Sequence, residues 1–435
     1  MALSAIANCS SQSLPFPTLP GANIVSLNAT LTRTTFQYIP AGVYSNNPGV
    51  LSTGRSLCNV TVTYTPKDSK RVTTVQVWLP TENWNERIQA VGGSGWAAGL
   101  SEIGIAAMTA SLSQGYATIG TDGGIPDNEP RSWAFLKPGV IDMKTLEHYS
   151  STSLNDLSII GKSVVRSYYG RPVKYSYWNG CSQGGRQGMM IAQKYPKAFD
   201  GIAASAAPVT WSHLMPAGFW AQTTMHDMGK YVDSCELTAI TTAAVKACDP
   251  LDGVIDGIIS DPEGCRFDPY TLVNTTIDCW PSGKRPISKE AARLANTGWY
   301  GMRQSNQTWM FRGANREAPI ATPSIPLFSD VVSALGYTLG LADNICYANG
   351  TCIGRPFKMV DDWMRIFIKK DPDYDTSKML VHDFDANFET SVREYTDIIG
   401  TGSLDLSGFR DAGSKLLSYH GLVSFNSCIP RLYEH

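Results

Sequence analysis

Gly180-Cys181-Ser182-Gln183-Gly184 sets a serine between two glycines in a Gly-x-Ser-x-Gly pattern. Val173 to Trp178 before it reads as a strand, and Gln183 to about Tyr195 after it reads as a helix. A turn from strand to helix is too tight for side chains at its flanks, so glycines stand there and the serine is lifted clear of the sheet. Ser182 is therefore the candidate nucleophile for acyl transfer, in which a serine oxygen attacks a carbonyl carbon. The five-residue pattern alone also fits an ordinary glycine-rich turn; the strand and helix around it single it out.

Such a nucleophile needs donors for the oxyanion it creates. In serine hydrolases built on this turn, one backbone N–H comes from the residue after the nucleophile and another from an early strand-to-helix loop. Gln183 is the first candidate. Gly92-Gly93-Ser94-Gly95-Trp96, which follows the apolar strand Arg87 to Val91, offers Gly93 as the second. The same loop also reads as a place where chain segments merely pass closely. It is not a phosphate cradle, because it has neither Gly-x-Gly-x-x-Gly nor a Walker lysine.

The elements that must position these residues are legible as periodicities. Thr61 to Tyr64 and Thr73 to Leu79 alternate with the period of two of half-buried strands. Ile103 to Ser113 reads as a helix, Tyr116 to Gly120 as a strand, and Leu154 to Tyr168 as an amphipathic helix with Leu157, Ile160, Val164 and Tyr168 on one face. Gly201 to Ala206 and Lys415 to Tyr419 read as further strands. Strands alternating with helices place the chain in the α/β class, with a largely parallel sheet covered on both faces. The first fifty residues, rich in Ser, Thr, Pro and Asn, read as an extended arm tied down by Cys9 and Cys58.

Composition shifts beyond Pro208. Trp211, Met215, Phe219, Trp220, Met225 and Met228 crowd together, and turn-rich, cysteine-rich sequence follows to about residue 360, so an inserted lid is expected. Its aromatics read either as the lining of a pocket for an aromatic substrate or as plain core. Within it, Asp249-Pro250-Leu251-Asp252-Gly253-Val254-Ile255-Asp256-Gly257-Ile258 spaces three carboxylates by three and four residues, with glycines between. Such a run can curl oxygens around one hard cation, although the spacing and terminal Glu of an EF-hand are absent. Asp371-Pro372-Asp373-Tyr374-Asp375 lacks the Gly and Glu that would complete an EF-hand and reads as a solvated turn.

With 435 residues, either one large domain carrying an insertion or two domains are expected. A formal net charge of −2 and the lack of any long like-charge block speak against nucleic acid or an anionic membrane surface as partner, and no run is apolar enough to span a bilayer. Ten cysteines, with spacings such as Cys248 to Cys265 and Cys346 to Cys352, and sequons at Asn8, Asn28, Asn59, Asn274, Asn306 and Asn349 favour an oxidising, secreted setting. Zinc is disfavoured because no Cys-x-x-Cys pair is present. Met1 to Ala7 is apolar but far shorter than a signal peptide, so a trimmed signal or a misplaced start is expected.

Gly-Cys-Ser-Gln-Gly-Gly-Arg-Gln-Gly at 180 to 188, Gly115-Tyr116-Ala117-Thr118, and Cys-Asp-Pro-Leu-Asp-Gly-Val-Ile-Asp-Gly at 248 to 257 resemble the fungal tannase and feruloyl esterase family, over roughly Cys9 to Leu422. The cysteine beside the nucleophile makes the resemblance specific. It implies a secreted α/β-hydrolase with a lid, cleaving small esters of phenolic acids, free or attached to plant polysaccharide or tannin. It also implies a structural calcium, held by the side chains of Asp249, Asp252 and Asp256 and the backbone oxygens of Val254 and Ile258. The corresponding domains are an arm over 1–59, catalytic segments over 60–207 and 399–422, a lid over 208–398 and an unrelated tail over 423–435.

The tail departs from that pattern. The family's His-Gly-x-x-Asp begins at His420-Gly421-Leu422, but Ser424 stands at the acid position. The family's catalytic His lies tens of residues further on, followed by a Cys that bridges to the residue in the place of Cys181. The resemblance thus implies that the triad Asp and His, and the last strands and helix, are absent from this sequence. Asp411 and His420 are the available substitutes, and His420 reads as structural, since the family keeps it beside the acid. Val423-Ser424 is what a splice donor such as GTAAGT encodes in frame, so the tail is expected to be translated intron. Two function classes follow: a serine esterase acting through Ser182, or a catalytically inactive relative lacking the acid and base.

Overall fold

Val60, Val62 and Tyr64 on one strand and Val75, Val77 and Leu79 on the next turn the same face inward, and all six are fully buried. Leu157, Ile160, Val164 and Tyr168 supply the helical face that packs in the same core. Each such side chain contributes about 2 kcal/mol of burial free energy, so alternation on strands and a 3.6-residue stripe on the helix suffice to bring these elements together.

The computed structural model describes residues 9–42, 46–67, 69–279, 283–304, 308–321, 340–346 and 351–421. The Met1 to Ala7 segment, the sequons at Asn8, Asn306 and Asn349, and the tail Val423 to His435 lie outside them. The described chain divides into two units, one of residues up to Thr210 together with Asp397–His420, the other of Trp211–Thr396.

The first unit carries an eight-stranded sheet: β1 (Ala22–Arg33), β2 (Ser56–Pro66), β3 (Thr73–Pro80), β4 (Arg87–Val91), β5 (Ala117–Thr121), β6 (Tyr175–Cys181), β7 (Gly201–Ser205) and β8 (Lys415–Tyr419). Their spatial order is β1-β2-β3-β5-β4-β6-β7-β8. The expected parallel arrangement holds from β5 to β8, whereas β1, β2, β3 and β5 pair antiparallel. Helices α1 (Glu102–Ser113), α2 (Ser153–Tyr169) and α3 (Gln183–Lys194) connect or follow the parallel strands.

The segment read as an arm is extended but paired, with β1 lying along β2. Its strand signal is faint because it is an edge strand that buries only Leu27, with Asn and Thr among its exposed residues. A disulfide joins Cys9 to Cys58, as expected. Asn28 on β1 and Asn274 are exposed, while Asn59 is half-buried in β2 between two strands, a poor place for a glycan.

In the second unit, α4 (Trp211–Met228), α5 (Ser234–Cys248) and α6 (Lys289–Tyr300) enclose a core that includes Met225, Leu237, Ile240, Leu294 and Trp299. Trp211, Met215, Phe219 and Met225 are all buried, so most of the aromatic and Met cluster is plain core. Disulfides Cys235–Cys279, Cys248–Cys265 and Cys346–Cys352 staple this unit. Helix α7 (Val381–Ile399) returns the chain to the first unit. Among the described residues no helix is long and apolar enough to cross a membrane.

Two half-buried ionisable groups in the first unit oppose each other. His148 is held between the hydroxyls of Thr73 and Thr152, at 2.9 Å each, and burial lowers its pKa to about 4. Asp156 accepts a hydrogen bond from Tyr64 at 2.9 Å, yet burial still raises its pKa to about 6. Below the ordinary His value of about 6.5 the unfolded chain takes up a proton that folded His148 refuses, so this group costs stability as pH falls toward 4. Folded Asp156 keeps a proton that the unfolded carboxyl releases near 4, so this group costs stability as pH rises toward 6. Urea unfolding between pH 4 and 7 should separate them. His148→Gln should gain on the parent as pH falls from 6.5 to 4, and Asp156→Asn should gain as pH rises from 4 to 6, each on the order of 2 kcal/mol. A difference from the parent that stays flat with pH in both variants would contradict this.

Candidate active site

Ser182 stands where β6 ends and α3 begins, with φ 58° and ψ −120°, a backbone conformation that non-glycine residues seldom adopt. The turn is as tight as the glycine pattern predicts. A Cβ on Gly180 would lie 2.4 Å from the carbonyl carbon of Gly184. The Ser182 N–H donates to Ser205 O on β7 at 3.1 Å, and Ser182 O accepts from Arg186 N at 3.0 Å as the helix begins. Ser182 is half-buried, and its hydroxyl makes no hydrogen bond with any described residue. Gln183 is the first residue of α3, so its N–H is among those a helix start leaves without an intrahelical acceptor.

The register of the sheet brings the glycine-rich loop to this turn. Asn179 on β6 is level with Val91 on β4, so Gly92 leaves the sheet beside Gly180. Gly92 N donates to Asn179 O, and Gly184 N donates to Gly93 O, both at 2.9 Å. A Cβ on Gly93 would lie 1.8 Å from Ala97 O, so close passage of the chain is a real requirement here. The expectation that Gly93 supplies an oxyanion donor is overturned. Its N–H is spent on Gln187 Oε1 at 2.9 Å, in the interior. Gln187 Nε2 donates to Ala98 O at 2.9 Å, which fixes the amide with its oxygen toward Gly93. The next N–H in the loop, that of half-buried Ser94, has no acceptor among the described residues.

Beneath the turn lies a buried network that the sequence reading missed. The fully buried Arg186 donates through Nε to Gln183 Oε1 at 2.8 Å, through one terminal nitrogen to Ile399 O at 3.2 Å and through the other to Ser150 O at 3.1 Å. Gln183 Nε2 in turn donates to Tyr149 Oη at 2.6 Å. Burial lowers the Arg186 pKa to about 10, leaving it charged at neutral pH, and pushes the Tyr149 hydroxyl up. Tyr149 and Ser150 sit in a short π-helix, His148–Thr152, a distortion that proteins favour near functional sites. The one hint in the sequence is the spacing of Gln183, Arg186 and Gln187, which puts three polar side chains on neighbouring faces of a helix that packs against the sheet.

No described histidine hydrogen-bonds to Ser182. His148 has both ring nitrogens taken by hydroxyls, and His420 directly follows β8, whose Tyr419 is level with Ser205. Asp411 is exposed and pairs with its neighbour Arg410 at 2.9 Å, and among the described residues it makes no hydrogen bond or ion pair with Ser182 or a histidine. Cys181 carries a free thiol among the described residues.

Residues 58–427 match the family model described as tannase and feruloyl esterase. The chain belongs to the tannase and feruloyl esterase family. A probable feruloyl esterase of Arthroderma benhamiae is 35% identical over 410 residues, covering 94% of this chain and 71% of that protein. A probable feruloyl esterase B of Aspergillus clavatus is 28% identical over 402 residues, covering 89% and 67%. Among solved structures, the tannin acyl hydrolase from Aspergillus niger aligns with a TM-score of 0.80 at 21% identity, over 98% of this chain and 74% of that one. Feruloyl esterase B from Aspergillus oryzae aligns at 0.71 and 23%, over 97% and 76%. At these identities the two structures bear on the fold alone, and they bear out the α/β-hydrolase class.

Within this family member, the aspartate-rich loop of the second unit is organised by its own carboxylates. Asp249 is buried and accepts from Asp256 N and Gly257 N at 3.1 Å each; Asp252 accepts from Val254 N at 2.8 Å and Asp256 from Ile258 N at 3.1 Å. The donor set, all oxygen, suits a hard cation. Among the described residues, however, no three acidic, His or Cys side chains converge as a metal cage. The second acidic run is a turn, with Asp371 accepting from Asp373 N and Asp375 from Ser377 N.

Arg186→Met would leave three buried acceptors unpaired and should cost about 3 kcal/mol or more, measured by urea unfolding at pH 7. Arg186→Lys cannot reach all three and should recover only part of that. A loss under about 0.5 kcal/mol for Arg186→Met would show that the network carries no stability.

Proposed function

We propose that this chain is a serine carboxylic ester hydrolase acting on esters of phenolic acids through an acyl-enzyme on Ser182. The observation that carries this reading is the left-handed backbone of a half-buried serine between a parallel strand and a helix, with its hydroxyl unpaired among the described residues. The match to the tannase and feruloyl esterase family and the relatives named feruloyl esterase support the choice of a phenolic acyl group. Attack by Ser182 Oγ forms a bond to the ester carbonyl carbon, and collapse of the tetrahedral species expels the alcohol, which takes up the serine proton. Water then releases the acid and regenerates the serine.

The oxyanion is held by Gln183 N–H and, in place of Gly93, by Ser94 N–H. The start of α3 and the buried charge of Arg186, four residues along, favour negative charge at the same point. A second reading, a chain inactive as it stands, is favoured by one observation: no histidine hydrogen-bonds to Ser182 Oγ among the described residues. An oxidising, extracellular setting is part of the proposal and rests on the four disulfides.

Hydrolysis of methyl ferulate and methyl gallate tests both readings. Activity in the parent should vanish in Ser182→Ala and fall about 100-fold or more in kcat for Ser94→Pro, which removes a single oxyanion donor. No hydrolysis by the folded parent would favour the inactive chain, and unchanged turnover in Ser182→Ala would refute the nucleophile.

We also propose a structural calcium on Asp249, Asp252, Asp256 and the carbonyls of Val254 and Ile258, supported by the all-oxygen donors and by the bend that the Cys248–Cys265 disulfide closes. Chelation should lower the melting temperature by several degrees, calcium should restore it, and Asp249→Ala should abolish the response. An identical melting curve with and without chelator would contradict the site.

A further inference from the structure

One residue outside the turn touches nearly every strand end around it. Asn46 lies in a loop far from Ser182 in sequence, yet its backbone N–H donates to Asn179 Oδ1 at 3.1 Å. Its side-chain Nδ2 donates to Gly180 O at 3.2 Å and to Ala203 O at 3.3 Å. Its Oδ1 accepts from Ser205 Oγ at 2.6 Å and from Tyr419 Oη at 2.7 Å. Two donor hydrogens and two acceptor lone pairs are all that a primary amide has, and all four are used.

These partners are not scattered. Cys181 is level with Ser205, and Ser205 with Tyr419, so the amide sits across the last three register rows at the carboxyl ends of β6, β7 and β8. Through its backbone N–H and its amide, Asn46 holds Asn179 and Gly180 on one side and Ser205 on the other, and Ser205 O is the acceptor that keeps the Ser182 N–H in place at 3.1 Å. A serine at φ 58° is held there only by surroundings that over-determine it.

We propose that Asn46 is a positioning residue for the nucleophile: a four-way amide brace that holds the ends of β6, β7 and β8 so that Ser182 keeps its strained, attack-ready backbone. The catalytic part of this proposal rests on the reading of Ser182 as nucleophile, while the brace itself does not. No other standard side chain of this size offers two donors and two acceptor lone pairs at once. Aspartate keeps the acceptors for Ser205 and Tyr419 but turns a charge toward the carbonyls of Gly180 and Ala203.

Hydrogen exchange followed by mass spectrometry tests the brace without requiring activity. In Asn46→Ala, amides of residues 179–183 and 203–206 should exchange about tenfold faster, while those of α2 keep the parent's rates. Exchange unchanged at the turn, or accelerated equally in α2, would overturn the brace. Ser205→Ala, which removes a single partner of the amide, should reproduce part of the effect if Asn46→Ala folds poorly. Ester hydrolysis tests the catalytic part. Corrected for folded fraction, Asn46→Ala should lose about tenfold in kcat with KM within about twofold, and Asn46→Asp should not rescue it at pH 7. Parent-like kcat in folded Asn46→Ala would refute positioning. A parent with no activity would instead defeat the esterase reading and leave the exchange result to decide the brace.

Discussion

The structure depends on holding one serine in a backbone conformation that serine does not choose. At φ 58° Ser182 costs on the order of 1–3 kcal/mol relative to relaxed backbone, and nothing in its own side chain repays this. The cost is met by what surrounds it. Parallel pairing with β4 and β7 fixes the end of β6, Ser205 O takes the Ser182 N–H, and helix α3 begins at once, so the chain has one way through. Gly180 is there because any larger residue would collide with Gly184. The sheet makes the turn possible, and the turn makes the serine available.

Polar groups around this point are almost all committed, which makes the uncommitted ones informative. Gln187 binds Gly93 N–H and Ala98 O, Arg186 collects three carbonyl oxygens, and Gln183 joins Arg186 to Tyr149. Each bond removes a group from the list of those that could stabilise an oxyanion. Among the groups that stay open in the described residues are the Ser182 hydroxyl and the Ser94 N–H, beside the helix-start N–H of Gln183. A buried guanidinium bound only to neutral oxygens adds positive potential one turn into the helix, in a setting where water screens it little.

Much of this was legible in the sequence, for a physical reason. Periodicity reports burial, so β3, β4, α2, α3 and β8 are readable to within a few residues from which side chains avoid water, and the Gly-x-Ser-x-Gly turn announces itself by steric need. Side-chain hydrogen bonds between distant residues have no period. Asn46 reaches Ala203 and Tyr419, and Arg186 reaches Ile399, through contacts that local pattern does not encode. Gly93 shows the same limit. Its loop is identifiable from its glycines, but whether its N–H is free depends on a glutamine ninety-four positions away. β1 escaped notice because a solvated edge strand buries too little to leave a signature.

The most direct measurement is the site at which an active-site phosphonate becomes attached. The folded chain would be treated with a fluorophosphonate and mapped by peptide mass spectrometry. The account predicts one phosphonyl group per chain, on Ser182. An unlabelled folded chain, or a label on another serine such as Ser94 or Ser205, would contradict it.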